Sequence, residues 1–204
     1  MKKLLMTALI AGISAAPALA TPYVSGSLGL GFSGNSDYTT AGGTEIKDSP
    51  EWKFGVPFGA AVGIKQADFR IEAALGYQSH DVDKWRTSAV GPYETPASTQ
   101  SMSALTYMVN GYYDINLNKS SVSPYVMAGL GGATLNPAGT EMEDRSTTVF
   151  AWQLGAGVGI QAAKNLTLDL GIRYLKPGEY KESNGGTCTL SYTNILAGIR
   201  YEFH

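Results

Sequence analysis

Few residues in this 204-residue chain have the types and spacing that chemistry demands. Gly29-Leu30-Gly31-Phe32-Ser33-Gly34 spells G-x-G-x-x-G. That motif cradles a pyrophosphate only where it follows a strand and opens a helix. Here it lies inside an alternating stretch that leads into polar loop residues, so no dinucleotide site is read from it, nor from the glycines of Gly155 to Gly159. His80 with Asp81 and Asp83 offers one imidazole and two carboxylates, a thin ligand set without a second histidine. The other histidine, His204, stands far away in the chain, and no G-x-S-x-G nucleophile elbow occurs. The expected place of His80 is a solvated loop, and no catalytic, cofactor-binding or metal-ligating residue is assigned. Cys188 is the only cysteine, which excludes a disulfide framework and leaves a thiol expected in an exposed loop. Asn165-Leu166-Thr167 has the letters of a glycosylation sequon but opens an apolar strand, and is discounted.

Seven charges are more telling for where they stand. Arg70, Glu72, Asp114, Asp169, Arg173, Arg200 and Glu202 all fall on the minority face of strongly alternating segments. The clearest segment runs from Trp52 to Lys65. One parity reads Trp52, Phe54, Val56, Phe58, Ala60, Val62, Ile64, and the other reads Lys53, Gly55, Pro57, Gly59, Ala61, Gly63, Lys65. Successive side chains of a strand point to opposite faces, so one face is continuously apolar and the other small or charged. The same two-residue period predicts about eight strands. They lie near Tyr23 to Phe32, Trp52 to Lys65, Phe69 to Tyr77, Ser101 to Ile115, Pro124 to Leu135, Val149 to Gln161, Leu166 to Tyr174 and Asn194 to Phe203.

The connections alternate. Gln66-Ala67-Asp68, Ala162 to Lys164 and Asn116 to Ser123 are short, whereas Ser33 to Glu51, Ser79 to Gln100, Asn136 to Thr148 and Lys176 to Thr187 are long and polar. Long and short loops therefore fall on opposite ends of the strands, the layout of bacterial outer-membrane barrels. A soluble sandwich also has one apolar face, turned inward. Three signals favour the membrane. The opposite face is Gly, Ala and Ser rather than a solvated Lys/Glu/Thr mixture. Aromatic residues fall at strand ends in phase: Phe32, Trp52, Tyr77, Phe150, Trp152 and Tyr174 as an outer girdle, with Phe69, Tyr113, Tyr201 and Phe203 as an inner one. Finally, the apolar face carries no Asp, Glu, Lys or Arg. The fold class expected is all-β, an eight-stranded antiparallel up-and-down transmembrane barrel. Its inward charges would form an ion-pair network that fills the lumen, since about eight strands leave an interior just wide enough for side chains. A narrow gated ion path is the functional alternative.

Residues 1–20 read as a secretory signal, with Lys2 and Lys3, a short apolar stretch from Leu4 to Ile13, and Ala18-Leu19-Ala20 as cleavage site. Thr21 rather than a cysteine stands directly after that site, which argues against a lipoprotein. Residues 21–204 then form one barrel domain. The chain has 15 basic and 17 acidic residues; without Lys2 and Lys3 the balance is 13 to 17, a net −4. Nothing there favours nucleic acid, which wants a basic face.

Asn110-Gly111-Tyr112-Tyr113-Asp114, Pro124-Tyr125-Val126-Met127-Ala128-Gly129-Leu130-Gly131 and Gly198-Ile199-Arg200-Tyr201-Glu202-Phe203 resemble the small outer-membrane β-barrel superfamily, which includes opacity-type surface antigens and the OmpX and OmpA barrel domains. The resemblance covers essentially all of the chain after residue 20. It implies a non-enzymatic protein of the bacterial outer membrane that presents four long surface loops in an antigen-like or adhesin-like role, with a small low-conductance channel as the alternative. It implies partners in outer-membrane lipid and lipopolysaccharide, in the barrel-assembly machinery, and in a surface ligand of the loops, and it implies no cofactor. Ile199, Tyr201 and Phe203 would carry the C-terminal assembly signal, with His204 following. Glu141, Glu143, Asp144 and Arg145 are expected on a solvated loop face, to which divalent-cation bridging of lipopolysaccharide phosphates is a conceivable addition.

Overall fold

A strand leaves backbone donors and acceptors open along both edges, and in hydrocarbon only a closed ring of strands satisfies them all. The computed structural model describes residues 20–34, 37–40, 42–46, 51–84, 92–96, 98–117, 120–139, 146–181 and 185–203. Within them lie β1 (Thr21–Ser33), β2 (Asp37–Thr39), β3 (Glu45–Ile46), β4 (Glu51–Trp52), β5 (Phe58–Gln66), β6 (Phe69–Lys84) and β7 (Ser101–Asp114). There follow β8 (Val122–Ala138), β9 (Thr147–Ala163), β10 (Leu166–Pro177), β11 (Tyr180–Lys181), β12 (Thr187–Thr189) and β13 (Tyr192–Glu202). The barrel wall is β1, β5, β6, β7, β8, β9, β10 and β13, each antiparallel to its neighbours, and β13 pairs back onto β1. The expected eight-stranded closed barrel is what the chain forms.

Following direct cross-strand partners from Tyr23 leads through Gly63, Glu72, Asn110, Gly129, Gln153, Leu175 and Tyr192 to Ser33, ten residues further along β1. This shear of ten tilts the strands and sets the barrel's width. The face assignment follows the sequence period. Phe58, Leu75, Val109, Leu130, Leu154, Leu168, Leu170, Ile172 and Ile199 are exposed on the outside. Arg70, Glu72, Asn110 and Arg200 are buried on the inside. The Ala67-Asp68 turn between β5 and β6 holds Ala67 at φ 52°, a left-handed conformation unfavourable for a residue with a Cβ.

Two departures matter. β5 begins at Phe58, not at Trp52. Phe58 pairs with Tyr77 and Trp52 with Val82, so six residues on one strand match five on the other. One extra residue reverses the side on which a side chain points. Trp52, expected in the outer girdle, therefore packs partly buried against the inner cluster. The second departure lies at the long-loop end, where β6, β8, β9 and β10 all run past the expected strand ends. Between and above them β11, β12, β2 and β3 form a separate four-stranded sheet. Met102, Ala104, Leu135, Ala151, Leu175, Tyr180, Cys188, Leu190 and Tyr192 pack into one apolar cluster there. Cys188 is thus buried, not exposed, and His80 sits on β6 with 1% exposure rather than in a solvated loop. Residues 1–19, the Glu141–Arg145 run and His204 lie outside the described residues.

Candidate functional site

The lumen is layered. Its layers follow from which strand carries a charge at which register. At the short-turn end, Arg70 on β6 reaches Asp114 on β7, with Nη2 2.8 Å from Oδ1 and Nε 3.0 Å from both carboxylate oxygens. Lys65 Nζ lies 3.7 Å from Asp114 Oδ2 and 3.8 Å from Glu202 Oε1. Arg200 bonds Glu202 through Nη1 and Asp169 through Nε, the latter at 3.1 Å. A continuous series of alternating sign therefore runs Arg70, Asp114, Lys65, Glu202, Arg200, Asp169. The guanidinium of Arg70 lies 4.2 Å over the Tyr112 ring and 5.1 Å from that of Tyr125, and Arg200 lies 5.7 Å from that of Tyr23. Each charge of the series has an opposite charge, and the two buried guanidinium groups, Arg70 and Arg200, have an aromatic face as well, the arrangement that offsets desolvation.

Of the seven charges singled out in the sequence, five join this series. Lys65 is the member that sequence reasoning missed, although it stands on the small-residue parity of the opening segment. Glu72 and Arg173 behave differently. Glu72 faces no cation within ion-pair distance among the described residues. It accepts hydrogen bonds from Tyr23 Oη at 3.0 Å, Asn110 Nδ2 at 2.9 Å and Tyr112 Oη at 2.6 Å. Arg173 is half-buried, pairs with no carboxylate among the described residues, and donates only to Tyr112 Oη at 3.4 Å.

From this layer upward the lumen holds a cavity of about 100 Å³, floored by Arg70, Asp169 and Arg200 and lined by Arg173, Glu72, Gln78, Thr106, Gln153 and Asn194 among others. Asn194 Nδ2 donates to Gln78 Oε1 at 2.9 Å, which leaves Gln78 Nε2 and Asn194 Oδ1 buried without a partner among the described residues. Higher still, His80 stacks on Tyr192, centroids 5.1 Å apart and planes 25° apart. Its Nδ1 lies 3.1 Å from the Lys53 carbonyl, so Nδ1 carries the proton and donates. Nε2 then presents a buried lone pair with no partner. Burial lowers the His80 pKa, opposed by the Lys53 carbonyl and by Asp81. Burial likewise raises the Tyr192 hydroxyl pKa. The ring could enter only because Gly31 and Gly55 lack side chains: a Cβ on Gly55 would sit 2.8 Å from His80 Cε1.

On the outer surface Phe32, Tyr77, Phe150, Trp152 and Tyr174 are exposed at the long-loop side of the apolar belt, and Phe69, Tyr113, Tyr201 and Phe203 at the other. Neighbours touch: Trp152 with Tyr174 at 5.7 Å, Phe69 with Tyr113 at 5.2 Å, and Tyr201 with Phe203 at 5.1 Å. Ile199 stands exposed on the same face as Tyr201.

The family described as outer membrane protein beta-barrel domain matches residues 5–203. Outer membrane protein PagN of Salmonella typhimurium is 35% identical over 118 residues, 48% of this chain and 49% of that protein. The chain thus spans about half the length of the curated relative it matches. The crystal structure of Neisserial surface protein A covers 90% of this chain and 99% of its own, at 19% identity and TM-score 0.54. Outer membrane protease OmpT from Escherichia coli covers 90% and 97%, at 10% identity and TM-score 0.51. Identities this low establish a shared fold, and that fold carries a surface protein and a protease alike.

Proposed function

We propose that this chain, which belongs to the outer membrane protein β-barrel domain family and is an integral protein of the bacterial outer membrane, is a non-enzymatic surface-interaction protein whose barrel holds its outer loops in place. The observation that carries this reading is the small sheet of β2, β3, β11 and β12, formed by segments from two different outer loops and anchored by Tyr180, Cys188 and Leu190 in the apolar cluster. A segment ordered in this way presents a fixed surface, and binding a partner then costs little further conformational entropy. His80, the histidine among the described residues, is buried under that cluster and out of reach of a substrate.

On this reading, residues 1–20 are removed on export. The exposed face of Ile199, Tyr201 and Phe203 is what the assembly machinery engages, and the aromatic residues at the two edges of the belt meet the lipid and lipopolysaccharide headgroups. The Arg70-to-Asp169 series is structural. The test is display on a bacterium that lacks the protein, with adherence to cultured epithelial cells as the readout. Adherence should rise with the intact protein and return to background when residues 37–46 are replaced by a Gly/Ser linker, with the unheated gel shift of a closed barrel retained. Equal adherence in all three strains refutes it. The mid-lumen cavity favours one second reading, a narrow channel. Reproducible unitary conductance in planar bilayers, abolished by Arg173 or Arg200 substitution, would establish that reading instead.

A further inference from the structure

Among the described residues every lumen carboxylate is already engaged, and Arg173 is a lumen cation that meets no carboxylate. Asp114 is held by Arg70 and Lys65, Glu202 by Lys65 and Arg200, and Asp169 by Arg200. Glu72 receives three neutral donors on its two oxygens. Arg173 keeps one long contact to a hydroxyl and lines the cavity. A guanidinium has five N–H donors in a planar fork and cannot shed its proton. The wall beside it is built to match. Asn194 is the direct cross-strand partner of Arg173, and its side chain fixes the Gln78 amide by a 2.9 Å bond. The Gln78 Nε2 donor, on a residue only 4% exposed that lines the same cavity, is left without an acceptor. Gly155, the partner of Arg173 on the other side, contributes no side chain to fill the space.

We propose that the mid-lumen cavity is a binding site for a small monovalent anion, held by the Arg173 guanidinium and the Gln78 amide N–H. A cavity of about 100 Å³ admits a halide, nitrate or formate and excludes a gluconate. Such an ion supplies an acceptor for the buried amide donor and a direct partner for the guanidinium, which meets the Glu72 carboxylate only through the Tyr112 hydroxyl. Glu72 and Asp169 line the same cavity, and their charges oppose the anion. Binding is therefore weak and exchange fast, which suits a relaxation measurement.

The experiment titrates sodium chloride into the folded barrel in detergent and follows the chloride-35 NMR line width, at constant ionic strength made up with sodium gluconate. Wild type should broaden the line saturably, and nitrate or formate should reverse the broadening where gluconate does not. Arg173→Gln should reduce the broadening at least about tenfold, Gln78→Met should reduce it less, and Arg173→Lys should retain part of it. The heat-dependent gel shift checks that each variant has closed its barrel, and Gln78→Met tests the site even if Arg173→Gln does not fold. Broadening that is unsaturable, that gluconate reverses as well as nitrate does, or that survives unchanged in folded Arg173→Gln and Gln78→Met overturns the proposal.

Discussion

Arg70 lies flat against Asp114, Nε 3.0 Å from both carboxylate oxygens and Nη2 2.8 Å from Oδ1, and neither side chain is more than a tenth exposed. The pair closes the short-turn end of the lumen from within, and Lys65 links it to Glu202 and Arg200. Removing one partner strands a buried charge, whereas removing both does not. Asp114→Ala should therefore lower unfolding stability by about 3–5 kcal/mol, and Arg70→Met with Asp114→Leu by much less. Urea titrations of the micelle-bound barrel, read by tryptophan fluorescence, would decide it. Equal losses in the single and double variants would show that the pair is not an energetic unit.

Tyr125 lies across a glycine pair. Gly157 and Gly171 are direct partners on β9 and β10, and a Cβ on either would meet the Tyr125 hydroxyl, at 2.5 Å and 2.6 Å respectively. At Gly157 a Cβ would also run into the Leu170 carbonyl, which is backbone and cannot step aside. At Gly171 the nearest obstacle is the far end of the tyrosine. Gly171→Ala should thus cost about 1–3 kcal/mol, recovered in large part by Tyr125→Phe, and Gly157→Val should leave little closed barrel. The unheated gel shift and the urea midpoint give both readouts. A Gly157→Val barrel as stable as wild type would contradict the packing described.

The wall was legible in the sequence because hydrocarbon outside and a cramped lumen inside impose opposite chemistry on alternate residues. Leu168 and Asp169 therefore declare their sides without help from any distant residue. What needed the structure was long-range. Lys65 finds Asp114 and Glu202 only once the register is known. Trp52 turns inward because of one residue inserted against β6, and a bulge leaves no mark on the alternation. Cys188 and His80 looked solvated because they follow or enter polar stretches, yet β12 pairs with β2 from a loop some 150 residues earlier in the chain and covers the mouth. The engaged state of Glu72 against the unpaired Arg173 could not be read either, since both share one face and differ only in their neighbours.

His80 should make the protein pH-sensitive at its outer mouth. Burial holds the folded pKa below the ordinary value of about 6.5, while the unfolded chain keeps that value. Above about pH 6.5 the ring is neutral in both states and its packing on Tyr192 counts in full. As pH falls from there toward the lower folded pKa, the unfolded chain takes up its proton first and stability declines. The urea midpoint of wild type should therefore drop between pH 7.5 and pH 5.5 by more than that of His80→Gln, in which this ionisation is gone. Parallel pH profiles for the two proteins would rule the effect out.

Leu170 stands on the outer face of β10, 47% exposed, with Ala197 and Val158 as its cross-strand partners. No protein covers it, so its environment is hydrocarbon. An arginine there places a charge in the apolar belt, at a cost of about 2–4 kcal/mol at mid-bilayer and less toward either interface. The inward neighbour Asp169 tolerates its charge because Arg200 meets it, and Leu170→Arg has no such partner on the outer face among the described residues. Leu170→Arg should therefore fold into lipid vesicles with lower yield and a lower urea midpoint than wild type. Thr189→Ser, in the loop sheet beyond the membrane, should match wild type in both. Vesicle insertion of Leu170→Arg at the wild-type yield and midpoint would mean that something other than lipid covers this face.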